Sequence, residues 1–505
     1  MPQEDATRSA GRGGLAVAGA KVYFILLGLV QQIALPRVLG LDGYGALSRV
    51  LSIASITYNP ITTMSIQAVS RTVVQTPPAE LPGTVRRVLT AHALFGVLLA
   101  VAFAIAAPKL AELAGAGHVE TPLRILSAVL VLYAVYTPLI GVANGQKRFL
   151  LQAGFDVMSA TLRTLGLVLG ALLARGWLGS GPAGSAAGFV VSASTVLVIA
   201  ALAIGTGSRS ATSFSLRRYL GLALPLLLGQ VLLNLLFQAD LTLLGRFASH
   251  AAEVAGQPLS RADALVGAYR ATQLFSFLPY QILIAITFIL FPMLAGAAQA
   301  KDPEAIARYV RTGLRLSLII AGAMVSVTLG LAPRLLELLF GAEAAQLGGR
   351  ALGLLSLGFG AFALFGILTT VLNSLGRERE SMWVTGLAVV VVGSLCFGRA
   401  RGAAFGEELL WLTAQATSTG LIVATAIAAL LVYRAAGALV SPWTLLRCGC
   451  ALVVAALVAR NAFPEGKLLT LVAAALTPLV YLLVLVASRE LGSADLGILR
   501  RVLKR

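Results

Sequence analysis

From Gly14 to Ser488 the chain is a succession of apolar runs broken by short polar turns, most of the runs about 20 residues long, enough to cross a hydrocarbon layer as a helix. Hydropathy predicts spans over 14–38, 43–73, 88–107, 122–143, 153–174, 183–204, 219–245, 263–294, 310–332, 351–373, 382–398, 408–433, 443–461 and 468–488. Within the runs apolar side chains are continuous rather than alternating, so helices and not a barrel carry the crossing. The second and eighth segments exceed the length a crossing requires and contain Asn59-Pro60, Pro279 and Pro292, which predicts kinks or tilts there. The expected fold class is an all-α polytopic membrane protein of about fourteen transmembrane helices.

Composition agrees. Hydrophobic residues make up 58% of the 505 and charged residues 12%, roughly half the charged share of a soluble domain. The formal net charge of +18 would suggest nucleic acid in a soluble protein, but here the charges are scattered between apolar segments, which excludes that partner. Alternate loops carry Arg86 and Arg87, Lys147 and Arg148, Arg217 and Arg218, Lys301, Arg308 and Arg311, then Arg377 and Arg379, which puts both termini in the cytoplasm. The apolar run behind Met1–Gly13 continues too far for a cleaved leader, so the first span is expected to be retained. Leu496, Leu499, Val502 and Leu503 share one side of a basic helix expected to lie on the anionic inner leaflet. Cys396, Cys448 and Cys450 read as small core residues.

The two halves echo each other. Leu39-Gly40 closes span one, Gly43-Tyr44-Gly45 opens span two, and Asn144-Gly145-Gln146-Lys147-Arg148 links spans four and five. Leu244-Gly245 closes span seven, Val266-Gly267-Ala268-Tyr269 opens span eight, and Asn373-Ser374-Leu375-Gly376-Arg377 links spans ten and eleven. The Tyr44/Tyr269 and Asn144/Asn373 offsets agree within about four residues, and the main difference is a longer outer loop from Arg246 to Asp263. Six spans per copy is an even number, so the lobes are parallel and related by an axis along the membrane normal. The expected organisation is a tail over 1–13, an N-lobe over 14–208, a C-lobe over 209–435, an accessory helix pair over 436–488 and a basic tail over 489–505. Two such bundles would leave a central cavity.

These turns, in their order, spacing and duplication, resemble the polysaccharide-transport branch of the multidrug/oligosaccharidyl-lipid/polysaccharide exporter superfamily over about residues 14–435. The resemblance implies a MATE-like fold whose lobes rock about the cavity, in the plasma membrane of a bacterium. It also implies a substrate, an undecaprenyl-diphosphate-linked oligosaccharide carried from the inner to the outer leaflet. H+ or Na+ is the candidate coupling ion, and polysaccharide polymerases or glycosyltransferases are candidate partners. No cofactor is implied.

Ionisable side chains inside spans are costly in lipid and direct attention to function. They are Lys21, Arg49, Asp156, Arg163, Asp240, Arg270 and Arg315. A cationic excess in a low-dielectric cavity would hold a diphosphate. Lys21, Arg49 and Arg270 lead because lipid II flippases carry cavity cations on the same spans; the alternative is snorkelling to the interface. Arg163 lies deeper and is a cavity or inter-helix contact. Asp156 shares its helix face or favours the positive end of span five, and Arg315 reads as an interface anchor. Asp240 is either an ion-coupling carboxylate or the partner of Arg246 or Arg270. Span one has no carboxylate, unlike many drug/cation antiporters. Gln31, Gln32, Asn59, Gln230, Asn234, Gln238, Gln273 and Gln281 suit sugar hydroxyls or helix–helix hydrogen bonds. Tyr44 and Trp177 read as interfacial anchors.

A Lys-Ser/Thr nucleotide loop is lacking, His92, His118 and His250 are dispersed, and the short loops hold no paired carboxylates, so an enzyme is not expected. Three functions compete: a lipid-linked oligosaccharide flippase, a multidrug/cation antiporter, and a non-transporting scaffold for polysaccharide assembly.

Overall fold

The computed structural model describes residues 2–492, with side chains from Ala16 onward except Arg175. The helices are α1 (Pro2–Gln75), α2 (Leu81–Leu113), α3 (Glu120–Gly145), α4 (Phe149–Leu173), the short α5 (Arg175–Leu178), α6 (Gly181–Ile204), α7 (Leu216–Val254) and α8 (Leu259–Ser276). They continue as α9 (Leu278–Gln299), α10 (Pro303–Phe340), α11 (Ala342–Ser374), α12 (Glu378–Ala400), α13 (Glu407–Ala436), α14 (Pro442–Ala462) and α15 (Lys467–Ala487). Thirteen helical stretches among the described residues are long and apolar enough to cross a membrane. The first of them, Ala16–Gln75, is 60 residues long and is broken at Gly40, whose φ of 77° only glycine adopts readily, so it contains two crossings. The protein is a multi-pass integral membrane protein with an all-α fold.

Two sequence expectations need correction. The supposed outer loop from Arg246 to Asp263 is helical at both ends, because α7 runs on to Val254 and α8 begins at Leu259. The eighth segment is interrupted rather than bent at its prolines: the helix stops at Phe277, and Pro279 sits in the first turn of α9, where its missing N–H has no intrahelical role. Pro60 lies inside α1 with helical backbone on either side. The basic amphipathic helix expected in the C-terminal tail lies, from Ser493 on, outside the described residues.

Packing divides the chain into two compact units, 1–267 and 268–505. In the first, α1 packs on α3, α4 and α7, α3 on α2 and α6, and α4 on α6. The α4–α6 contact is made by glycine pairs, Gly166 and Gly170 facing Gly184 and Gly188; a Cβ on Gly188 would lie 1.8 Å from the Gly166 carbonyl oxygen. Backbones come this close in lipid because dispersion, not hydrophobic transfer, drives helix association there. Tyr58, Tyr133 and Phe189 fill the space among α1, α3 and α6 with edge-to-face contacts of 5.8 to 6.1 Å.

In the second unit α11 packs on α9, α10 and α13, and α12 lies on α13. The final pair, α14 and α15, docks on α10, burying Ile319, Cys448, Ala451, Ala455, Tyr481 and Leu485. Arg315 secures the end of this pair. Its Nε donates to Glu490 Oε1 at 2.9 Å, a carboxylate that also accepts from Thr444 at 3.0 Å and Arg447 at 3.2 Å. Arg315 is therefore a tether within the protein and not an interface anchor. Cys396 and Cys448 are buried as expected, but Cys450 is exposed.

Candidate functional site

Four of the expected intramembrane polar residues meet along one seam between α1 and α4. Lys21 Nζ lies 2.9 Å from Asp156 Oδ2, with the lysine side chain 52% exposed and the aspartate 14%. One turn deeper, Tyr23 and Thr161 hydroxyls are 2.9 Å apart, and the Arg163 guanidinium sits 5.2 Å from the centre of the Phe24 ring. Further along, Thr164 donates to Gln31 Oε1 at 3.4 Å. The register follows from helix geometry: residues at spacings of three, four and seven fall on one face, which puts Asp156 and Arg163 on α4 opposite Lys21 and Phe24 on α1. Asp156 is thus paired with Lys21. An exposed ammonium neutralised by only one carboxylate retains donors for a second anion, and a guanidinium over an aromatic face is attracted to the ring's electron-rich surface.

Arg49 has a different environment. It is 3% exposed, and its Nη1 donates to the carbonyl oxygens of Gly245 at 2.6 Å and Ala114 at 3.1 Å and to Ser249 Oγ at 3.0 Å. Its Nε lies 2.8 Å from Asp263 Oδ1, at an angle too oblique to form a hydrogen bond. The second carboxylate oxygen of Asp263 lies 2.8 Å from His118 Nε2. The node joins α1, the α2–α3 turn, α7 and the start of α8 at the end of the unit where α1 breaks. Two glycines permit it: a Cβ on Gly45 would fall 1.8 Å from the Asp263 carbonyl oxygen, and one on Gly267 2.3 Å from that of Leu41. Asp263 and His118 went unnoticed in the sequence because one was assigned to a loop edge and the other to a scatter of histidines. The available signal was the Gly45-to-Arg49 and Asp263-to-Gly267 spacing of four, which places each charge beside a close-approach glycine on the same helix face.

The remaining candidates are dispersed. Arg270 Nη1 donates to Gln273 Oε1 at 3.0 Å one turn along α8. Asn234 is buried and donates to the Gln230 carbonyl at 2.9 Å, while Gln238 has a buried Oε1 with no hydrogen bond. Asp240 is 1% exposed, and its Oδ1 accepts the Leu241 amide at 2.7 Å. Asn59 and Gln281 are half-buried. Tyr44, expected at the interface, is 1% exposed and donates to Gln32 Oε1 at 2.6 Å, so it is an internal strut; Trp177 is 93% exposed.

The family described as polysaccharide biosynthesis protein matches residues 10–297. No curated protein matches. Among solved structures, the chain is similar to the lipid II flippase MurJ in its inward closed conformation, with a TM-score of 0.77 and 12% identity over 94% of this chain and 99% of that one. It is also similar to an inward-facing multidrug resistance MATE family transporter of the MOP superfamily, with a TM-score of 0.57 and 16% identity over 83% and 94% of the two chains. A third similar structure is the Vibrio cholerae MATE transporter VcmN in its bent form, with a TM-score of 0.56 and 17% identity over 85% and 98%. At these identities the structures establish the fold. The family match spans more than half of the residues, and the chain belongs to the polysaccharide biosynthesis protein family.

Proposed function

We propose that the protein is a flippase that carries an undecaprenyl-diphosphate-linked oligosaccharide from the inner to the outer leaflet of a bacterial plasma membrane by alternating access, with both termini cytoplasmic. The α1–α4 seam carries this reading: Lys21, half-exposed with one counter-ion, and Arg163 over Phe24 lie about three turns of helix or less from the amide of Gln31. Cations suit the diphosphate and amides the sugar hydroxyls, a combination that a drug cation would not favour. Arg270 with Gln273 offers the same cation-plus-amide chemistry on α8. Asp240 is the candidate site for H+ or Na+ coupling, since a buried carboxylate in a span is the group that could exchange such an ion.

The test is the leaflet location of the precursor. Cells depleted of the protein accumulate the undecaprenyl-linked oligosaccharide facing the cytoplasm, and restoring the wild-type chain returns it to the outer face. A strain carrying Lys21→Gln with Arg163→Gln fails to restore delivery. Normal outer-leaflet delivery in the depleted cells would refute the flippase reading.

A further inference from the structure

A cavity of about 600 Å³ lies away from the α1–α4 seam, between the start of α2 and the connection from α6 to α7. Arg86 and Arg87 on α2 and Arg209 on the connection line it, together with Thr90, Ser208 and Ser210, and Leu94, Phe214 and Leu216 form its apolar side. Among the described residues none of the three arginines lies within ion-pair distance of a carboxylate. Ser210 Oγ is buried with no hydrogen-bond partner.

The connection is a built structure. Ser208 N donates to the Pro82 carbonyl at 3.1 Å, the Thr84 and Thr212 hydroxyls are 2.7 Å apart, and Ser213 donates from both N and Oγ to Glu80 Oε2 at 2.6 Å. Gly83 and Gly207 admit the close approach: a Cβ on Gly83 would lie 2.5 Å from the Ser210 carbonyl oxygen, and one on Gly207 2.3 Å from that of Pro82. Behind the wall, Phe214 packs at 5.7 Å on Tyr219, whose hydroxyl is 2.6 Å from His92 Nε2. Three arginines thereby line one concavity, with no carboxylate at ion-pair distance among the described residues. Their mutual repulsion is relieved by an anion, and arginine favours phosphate.

The apolar side points to the source of that phosphate. Leu94 continues along α2 into Leu98, Val101 and Ile105, which are 52% to 74% exposed and spaced at four, seven and eleven residues, one line down the helix. The line is about 16 Å long, the reach of an acyl chain. A free phosphate would use the arginines and leave the line unexplained. A basic pocket at the end of a membrane helix with an apolar track below it matches the headgroup and tail of a lipid.

We propose that this cavity is a binding site for an anionic glycerophospholipid, with the headgroup phosphate held by Arg86, Arg87 and Arg209 and an acyl chain laid along Leu94, Leu98, Val101 and Ile105. The site is separate from the transport residues and stands whether or not the flippase reading does.

The test titrates the delipidated, full-length protein with phosphatidylglycerol and with phosphatidylcholine, reading bound lipid by native mass spectrometry. Wild type prefers phosphatidylglycerol. Arg86→Gln, Arg87→Gln and Arg209→Gln combined lower its apparent affinity roughly tenfold or more, while phosphatidylcholine, whose choline offsets the phosphate charge, loses clearly less. Neutralising Arg377 and Arg379 has no such effect. If the triple variant does not fold, Arg209→Gln alone is read, with a loss of roughly threefold to fivefold. Equal phosphatidylglycerol binding by wild type and variant overturns the proposal. Displacement of the lipid by inorganic phosphate at equal concentration also overturns it, because the site would then belong to a free anion.

Discussion

Arg49 and Asp263 are 3% and 4% exposed, and their pairing makes a prediction whose size can be worked out in advance. Removing one member of a buried pair leaves an uncompensated charge and costs about 3–5 kcal/mol. Asp263→Asn belongs at the lower end, because Arg49 keeps the Gly245 and Ala114 carbonyls and Ser249 as acceptors. Arg49→Met belongs at the upper end: it removes three charge-assisted hydrogen bonds and leaves Asp263 with His118 alone. The double variant should cost no more than Arg49→Met, a coupling of about 3 kcal/mol. The assay is thermal unfolding of detergent-purified protein followed by tryptophan fluorescence. The expected order of Tm is wild type, Asp263→Asn, then Arg49→Met equal to the double variant. If Arg49→Met melts with wild type while abolishing export, Arg49 serves the substrate and the stabilising role assigned to the node is wrong.

Other outcomes follow from single contacts. Gly188→Leu, forced against the Gly166 carbonyl, should separate α4 from α6 and sharply reduce the folded yield, whereas Gly393→Leu, with open space at its Cβ, should not; fluorescence size-exclusion profiles of tagged protein decide this. Asp240→Asn should abolish any dependence of export on the H+ or Na+ gradient if the carboxylate couples transport, and unchanged gradient dependence would remove it from that role. Burial raises the Glu490 carboxyl, but hydrogen bonds from Arg315, Thr444 and Arg447 outweigh this and hold it below the ordinary value. Its contribution is therefore full above the unfolded pKa and is lost as pH falls through the folded one, so Tm should drop below about pH 4 and Glu490→Gln should flatten that drop.

Much of the fold was legible because lipid imposes a single strong pattern. Apolar length located the crossings to within a few residues at most ends, and the Leu39-Gly40 turn marked the break in α1. What periodicity could not supply was the partner of each charge. Lys21 and Asp156, or Arg49 and Asp263, are far apart in sequence, and nothing local distinguishes a charge that will be paired from one that will snorkel. The Arg246–Asp263 stretch was misread as a loop because it is polar, and helices that extend beyond the bilayer lose the apolar signal while keeping their backbone hydrogen bonds. Tyr44 was misread because an aromatic residue near a span end looks the same from sequence whether it faces headgroups or, as here, a glutamine across the Gly40 break of α1.

The cations thus fall into two physical classes, and the distinction bears on which of them can move a substrate. Arg49 is enclosed by two carbonyls, a hydroxyl and a carboxylate, so lending its charge to a diphosphate would mean breaking contacts worth several kcal/mol. Lys21 is half in the open, and its ion pair among the described residues is with Asp156, whose side chain is 14% exposed, so the contact is more accessible to water than the Arg49 node and weaker for it. A phosphate could compete with Asp156 for the open side of Lys21 at lower cost than at Arg49 and be released more readily, which is what a carrier needs from its binding group. Lys21→Arg should therefore retain export, Lys21→Gln should lose most of it without lowering Tm, and Asp156→Asn should tighten retention of the substrate while slowing its release. Flippase turnover and substrate co-purification, measured on the same variants, read the two effects separately. If Asp156→Asn weakens both, the carboxylate holds the seam together and does not compete for the lysine.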